Sequence, residues 1–370
     1  MSAASAAVPL KHWFDEARYH HLAGELATLS PRFDRSRFLT LTLGGLEERA
    51  LMERLHQTAR AFAATLPGGY PAQLAVLREL APRIGHTFVA ISLCDFVARE
   101  GLRPADFDRS LEALRFFTSF GSAEFAVRPF LVHDLHRTLK VMETWASAPD
   151  ADVRRLASEG SRPRLPWGLR LTALVRDPTP VMPILEQLKT DPSPYVRKSV
   201  ANHLNDITKD NPDWVIDRVQ AWDRTHPATG WIVRHALRTL IKSSCPPALA
   251  LIGAGAAPQL TVSRFTAAPR RILLGDTITL AATLVSTTSS AQRLVVDYVL
   301  HYARPLGAIS SKVFKWKTLE LPPLATIKLT KRQLVTDFST RRHHSGLHRI
   351  ELQINGRRIA TSAFTLRTNA

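Results

Sequence analysis

The sequence predicts two domains, an all-α repeat solenoid followed by an all-β sandwich, and three observations carry that expectation. From residue 13 to about residue 252, apolar residues recur at helical spacing, as in Leu22, Leu26 and Leu29 or Leu111, Leu114 and Phe117. Beyond the small-residue stretch Gly253-Ala254-Gly255-Ala256-Ala257-Pro258, apolar and polar residues alternate instead, as in Ile278, Leu280, Ala282 and Leu284 and in Leu294, Val296, Tyr298 and Leu300. Within the helical part, the pair Val-Arg recurs at Val127-Arg128, Val153-Arg154, Val196-Arg197 and Val233-Arg234. The domains are accordingly drawn at 1–255 and 256–370.

The helices are punctuated by Ser30-Pro31, Pro67-Gly68-Gly69, Gly101, Pro149-Asp150, Asp191-Pro192 and Asn211-Pro212. The Val-to-Val separations of 26, 43 and 37 residues are loose, but the later two suit HEAT-like repeats. In the clearest copy, Asp191 and the prolines open a helix, Val196, Val200 and Leu204 face the core, and Arg197 and Lys198 point away from it. Stacked helix pairs present an extended surface to a partner, and that architecture alone suits a protein-binding scaffold equally well.

The second domain holds six to eight predicted strands. Asn355-Gly356 after Ile350, Leu352 and Ile354 marks a two-residue hairpin. That count suits an immunoglobulin-like β-sandwich, although no Cys…Trp…Cys signature supports an antibody-type domain.

Lys and Arg number 49 against 32 Asp and Glu, a net charge of +17 over 370 residues. This excess points to a polyanionic partner and says nothing about fold. It is unevenly shared: residues 256–370 hold 17 basic and 5 acidic residues, residues 1–255 hold 32 and 27. The β domain therefore reads as a second phosphate-contacting surface. Two cysteines, Cys94 and Cys245, suggest a reducing compartment. Met1–Lys11 lacks the pattern of a secretory leader, and the apolar run Phe88–Ala98 is broken by Asp95 and too short to span a bilayer. A soluble, cytoplasmic protein without membrane association is expected.

Three residues resist a purely structural explanation. Glu159 precedes Gly160, where a helix is expected to stop with the glycine left-handed, so its carboxylate faces the unfavourable end of the helix dipole. Asp206 ends the clearest repeat helix in the same way. Each acid could simply pair with a repeat arginine, but two of them in a basic region suggest an electrostatic task near a developing positive charge. Trp167 lies in the Pro-stiffened segment Arg162-Pro-Arg164-Leu-Pro166-Trp167-Gly168. It could plug the core, or serve as an aromatic platform inside a phosphate-contacting arginine cluster that also draws on Arg154 and Arg155. Glu124, opening another repeat helix, is ordinary helix chemistry when taken alone. No phosphate-binding loop, dinucleotide turn, CxxC pair or HExxH is present, so neither metal nor cofactor is expected. The pairs His20-His21 and His343-His344 read as surface residues, and Cys94 as a buried, inert thiol.

The strings Arg115-Phe-Phe-Thr-Ser-Phe-Gly-Ser-Ala-Glu124-Phe-Ala-Val-Arg128-Pro-Phe, Ala157-Ser-Glu159-Gly-Ser-Arg-Pro-Arg-Leu-Pro-Trp167-Gly and Ser199-Val-Ala-Asn202-His203-Leu-Asn-Asp206 resemble the AlkC branch of bacterial alkylbase DNA glycosylases. The resemblance spans the helical half, and a C-terminal Ig-like domain is a feature of one AlkC subgroup. It implies a monofunctional enzyme of base excision repair. Such an enzyme hydrolyses the N-glycosidic bond of small cationic lesions, 3-methyladenine and 3-methylcytosine, in duplex DNA without flipping the base. It implies Glu124, Glu159, Trp167 and Asp206 as the active centre. Arg154, Arg155, Arg162, Arg164, Arg197, Lys198, His203 and Lys209 are expected to hold the DNA, with Arg341 and Arg342 as a candidate contact from the β domain. The implied partner is double-stranded alkylated DNA in a bacterial cytoplasm, and the protein is expected to be a monomer. The alternatives are a catalytically silent DNA-binding scaffold on the same solenoid and a glycosylase of AlkD type that prefers 7-methylguanine.

Overall fold

Aspartate opens one helix after another. The side chains of Asp15, Asp34, Asp134 and Asp150 accept the backbone N–H of Arg18, Arg37, Arg137 and Asp152, supplying partners that the first turn of a helix lacks. The computed structural model describes residues 9–305, 308–338 and 341–368, so the first eight residues of the Met1–Lys11 stretch lie outside the described residues. Sixteen α-helices occupy the described chain from Glu16 to Leu251, and the first strand starts at Leu260, so the change of texture at 253–258 marks a change of secondary structure.

The repeated Val residues, Val127, Val153, Val196 and Val233, are all buried. In the helix Pro194–Ile207, Val196, Val200 and Leu204 face the core as expected. Two repeat arginines do the same local work. Arg154 Nη1 donates to the carbonyls of Ala148 and Pro149, and Arg197 Nη1 to those of Asp191 and Pro192. Each guanidinium thus staples the turn that leads into its own helix. Cys94 is buried, and its thiol, pushed up by burial, donates to the Gly121 carbonyl.

The chain divides into two compact units, one running to Asn211 with Trp222–Ala236 added, the other combining Pro212–Ala221 with the chain from Leu237 onward. The β part of the second unit has eight strands: β1 Leu260–Ala268, β2 Arg271–Leu273, β3 Thr277–Ser286, β4 Gln292–Ala303, β5 Ile309–Leu321, β6 Thr326–Leu334, β7 Gly346–Ile354 and β8 Arg357–Arg367. They form sheets of order β1-β3-β6 and β2-β8-β7-β4-β5, antiparallel except for β2 beside β8. Ile278 and Leu280 of β3 pack with Tyr298, Leu300, Ile350 and Phe364 of the other sheet, giving a two-layer sandwich core. The β7–β8 turn is the expected two-residue hairpin, with φ of 46° at Asn355 and 77° at Gly356.

Two local expectations are corrected. Strand β4 does not alternate: Val295, Asp297 and Val299 are buried as well as Leu294, Val296 and Tyr298. The helical segments of the same unit approach this sheet, since a Cβ on Gly356 would meet Ser244 Cβ at 2.8 Å and Leu249 Cδ1 at 3.0 Å. His343 is not a surface residue; it is buried, its ring edge-to-face with Tyr302 and bonded to Asp337 at 3.0 Å.

Candidate active site

The helix Ala151–Gly160 places Glu159 one residue before its end. Gly160 is right-handed and still helical, contrary to the left-handed stop expected. Glycine is needed there because a Cβ would lie 2.6 Å from Val127 Cγ1. The left-handed residue of this segment is Trp167, with φ of 63°. An L-residue is strained in that region, and the turn stands the indole out with 78 % of its surface exposed. Trp167 is therefore not a core plug. Gly168 beside it lets the backbone lie on Arg128, whose Cδ and Nε would be 3.3 Å from a Cβ.

Glu159 and Asp206 are both buried, and Arg162 lies between them. Arg162 Nη1 donates to Glu159 Oε1 at 2.5 Å, while its Nε and Nη2 reach Asp206 Oδ2 at 2.8 and 2.7 Å. Ser199 Oγ donates to Glu159 Oε2 at 2.6 Å, and Lys209 Nζ to Asp206 Oδ1 at 2.9 Å. On the other side, Arg155 Nη2 is 3.5 Å from Glu159 Oε1, and its Nη1 bonds both Ser122 Oγ and Glu124 Oε2. Ser122 Oγ also donates to Glu124 Oε2. Glu124, Arg155, Glu159, Arg162, Asp206 and Lys209 thus form a ladder of alternating charge. Each acid does have an ion pair, but the partner shared by Glu159 and Asp206 is Arg162, which stands outside the Val-Arg repeat.

An open cavity of about 570 Å³ is lined by Glu124, Glu159 and Trp167, with Arg155, Arg162 and Tyr195 beside them. Three of the four sequence-derived active-centre residues meet there. Asp206 is not among the lining residues; it is bonded to Arg162, which is. Tyr195, with the Arg155 guanidinium 5.0 Å above its ring, was missed by the sequence reading, as were Ser122, Ser199 and the apolar wall of Trp13, Met52 and Phe88. Ser122 and Ser199 lie inside the diagnostic strings, where a hydroxyl gives no signal of its own. The apolar wall comes from the N-terminal helices, which carry no motif.

The expected DNA contacts separate by exposure. Lys198, Lys209 and Arg342 are exposed. Arg154 is tied to Asp191, with Nε and Nη2 on its two oxygens at 2.7 and 3.2 Å, and Arg164 to Asp210, both bonds at 2.6 Å. Arg197 is held by its carbonyl bonds, and Arg341 stacks 4.6 Å over Tyr302 in the second unit. His203 is corrected: it is fully buried, and burial, reinforced by the nearby Arg162 charge, holds its pKa down to about 3. A neutral, enclosed ring presents nothing to a phosphate. Its place in the helix explains this, because it shares the inward face with Ser199. Among the described residues, no three His, Cys, Asp or Glu side chains gather as metal ligands would. No described helix is long and apolar enough to cross a membrane.

Residues 85–240 match the family described as DNA alkylation repair enzyme, and residues 261–368 match the C-terminal Ig-like domain of the uncharacterised protein YhaZ. YhaZ of Bacillus subtilis strain 168 is 38% identical over 348 residues, which is 94% of this chain and 96% of that protein. The alkylpurine DNA glycosylase AlkC of Pseudomonas fluorescens, solved bound to DNA containing an abasic site analogue, superposes with a TM-score of 0.93. It is 45% identical, with 97% of this chain and 100% of that one covered. With a helical part, an Ig-like sandwich and relatives alike over nearly their full lengths, this chain belongs to the AlkC family of DNA glycosylases.

Proposed function

We propose that the protein excises small cationic alkylated bases, 3-methyladenine and 3-methylcytosine, from duplex DNA without flipping them, as a step of bacterial base excision repair. The observation that carries this reading is the meeting of Glu124, Glu159 and the outward Trp167 on one open cavity. An N3-methylated base is already positive, so it leaves with the glycosidic electron pair and needs little acid assistance. The remaining barrier is the oxocarbenium-like sugar, which a fixed carboxylate and an aromatic face stabilise. Glu159, held on both oxygens by Arg162 and Ser199, is suited to face that charge without reorganising. The hydrogen bonds of Glu124 fall on Oε2 among the described residues, which leaves Oε1 to accept a proton of the water that attacks C1′. Asp206 fixes Arg162. Trp167 packs on the exposed deoxyribose, and its standing outside any enclosed pocket supports action without base flipping. Bending the duplex to expose that sugar costs about 1–6 kcal/mol. The helical part is thus assigned the chemistry and the basic β domain a grip on the DNA.

The test is base release from methylating-agent-treated duplex, resolved by chromatography, with Glu159→Gln alongside. Release of 3-methylated bases by the unmodified protein alone supports the reading. Release of 7-methylguanine alone moves the protein to the AlkD-type preference, and tight binding with no release moves it to a scaffold. A duplex with 2-aminopurine at the lesion position tests flipping: fluorescence should stay quenched on binding, and a rise overturns that part.

A further inference from the structure

In the Val-Arg repeat, Arg128 behaves unlike Arg154 and Arg197. Arg154 and Arg197 turn back to carbonyls five and six residues before themselves. Arg128 reaches forward instead. Its side chain is fully buried, Nη1 donates to the Gly160 carbonyl at 2.8 Å and Nε to the Leu169 carbonyl at 2.5 Å. These carbonyls stand at the two ends of the segment that carries Arg162 and Trp167. Within that segment Pro163 and Pro166 have no N–H to give, and Gly168 leaves its backbone directly on the arginine shaft.

We propose that Arg128 is a positioning residue for excision, a clamp that spans both ends of the 160–169 segment and holds Trp167 in its outward, left-handed conformation. The inference rests on the reading of Trp167 as part of the active centre. The rigid planar fork sends Nε and Nη1 in fixed, separate directions to two carbonyls, whereas the donors of an ammonium all start from one freely rotating nitrogen. The location is costly for a cation: burial, with Arg162 close by, lowers the Arg128 pKa to about 10. A residue kept only to fill space would be better apolar.

The experiment pairs a fluorine spectrum with a double-mutant cycle on the full chain. Protein labelled with 5-fluorotryptophan should show a Trp167 resonance, assigned by its loss in Trp167→Phe. In Arg128→Lys that line should broaden or split while the lines of the other six tryptophans stay in place. Single-turnover excision by Arg128→Lys should fall about tenfold to a hundredfold. The same change on a Trp167→Ala background should cost almost nothing further. An unchanged Trp167 line overturns the clamp. A loss of equal size on both backgrounds overturns its route through Trp167. If Trp167→Ala itself excises at the full rate, the reading of Trp167 fails and the claim on excision with it, while the fluorine line still decides whether the clamp exists. Should Arg128→Lys fail to fold, Gly168→Ala lifts the segment off Arg128 from the other side and carries the same two readouts.

Discussion

Glu159 and Asp206 share one guanidinium, that of Arg162, which bonds the first through Nη1 and the second through Nε and Nη2. The two acids are electrostatically joined yet unequally placed, because only Glu159 lines the cavity. Their neutralised variants should therefore differ. Glu159→Gln should lower single-turnover excision by about 10²–10³ with affinity for undamaged duplex little changed. Asp206→Asn removes a partner from a buried pair, which costs about 3–5 kcal/mol of stability, and should lower the melting temperature as well as the rate. Loss of rate in Asp206→Asn with melting intact would place Asp206 in direct contact with the substrate.

Trp167 offers a test in which stability and activity move in opposite directions. Its side chain is 78 % exposed, so its removal forfeits little packing, while its φ of 63° strains any L-residue. Trp167→Gly should be more stable than Trp167→Ala by about 1 kcal/mol in urea unfolding, because glycine takes that conformation freely. Both should excise far more slowly than the unmodified protein. Equal stabilities would mean that the turn relaxes once the indole is gone.

The helical and the β parts were legible in the sequence because period and punctuation are local properties, whereas the grouping of Pro212–Ala221 and Leu237 onward with the strands was not. Val196, Val200 and Leu204 follow from helical spacing, and Asn355-Gly356 from turn chemistry. Glu159, Asp206 and Trp167 stood out as candidates because each breaks a local rule. What remained illegible depends on the packing of distant segments. Gly160 reads as a helix stop, yet it is glycine because Val127 lies against it. His203 reads as a basic contact, yet helix rotation turns it inward. Nothing in the repeat distinguishes Arg128 from Arg154 until the fold shows that one reaches forward and the other back.

Buried His203 gives a pH dependence with a definite sign. Its pKa is about 3 in the folded protein against an ordinary value of 6.5, so below pH 6.5 the unfolded chain binds a proton that the folded one refuses. Its stability contribution is complete above pH 6.5 and is lost as pH falls toward 3, at about 1.4 kcal/mol per pH unit. Urea unfolding at pH 7.5 and 5.5 should give a larger difference for the unmodified protein than for His203→Asn. Matching differences would show that the ring is protonated in place.

The basic β domain has two physical readings that salt can separate. Lys312, Lys315 and Lys317 stand exposed on β5, an edge strand of the five-stranded sheet, where lysine also guards against pairing with another chain. Arg341 and Arg342 have no edge to guard, and Arg342 is exposed. If these arginines bind phosphates, each releases counterions, and log K against log salt flattens by about 0.9 for each phosphate no longer neutralised. Arg341→Gln with Arg342→Gln should thus weaken binding most at low salt, flatten the slope by about 1–2, and do so equally for damaged and undamaged duplexes. The matching change on Lys312 and Lys315 serves as the comparison. An unaltered slope in the arginine variant would leave both arginines as solvated charge. Point substitutions are the right tool, because the helices around 237–251 group with the β strands and removal of the strands alone would strip those helices of their packing.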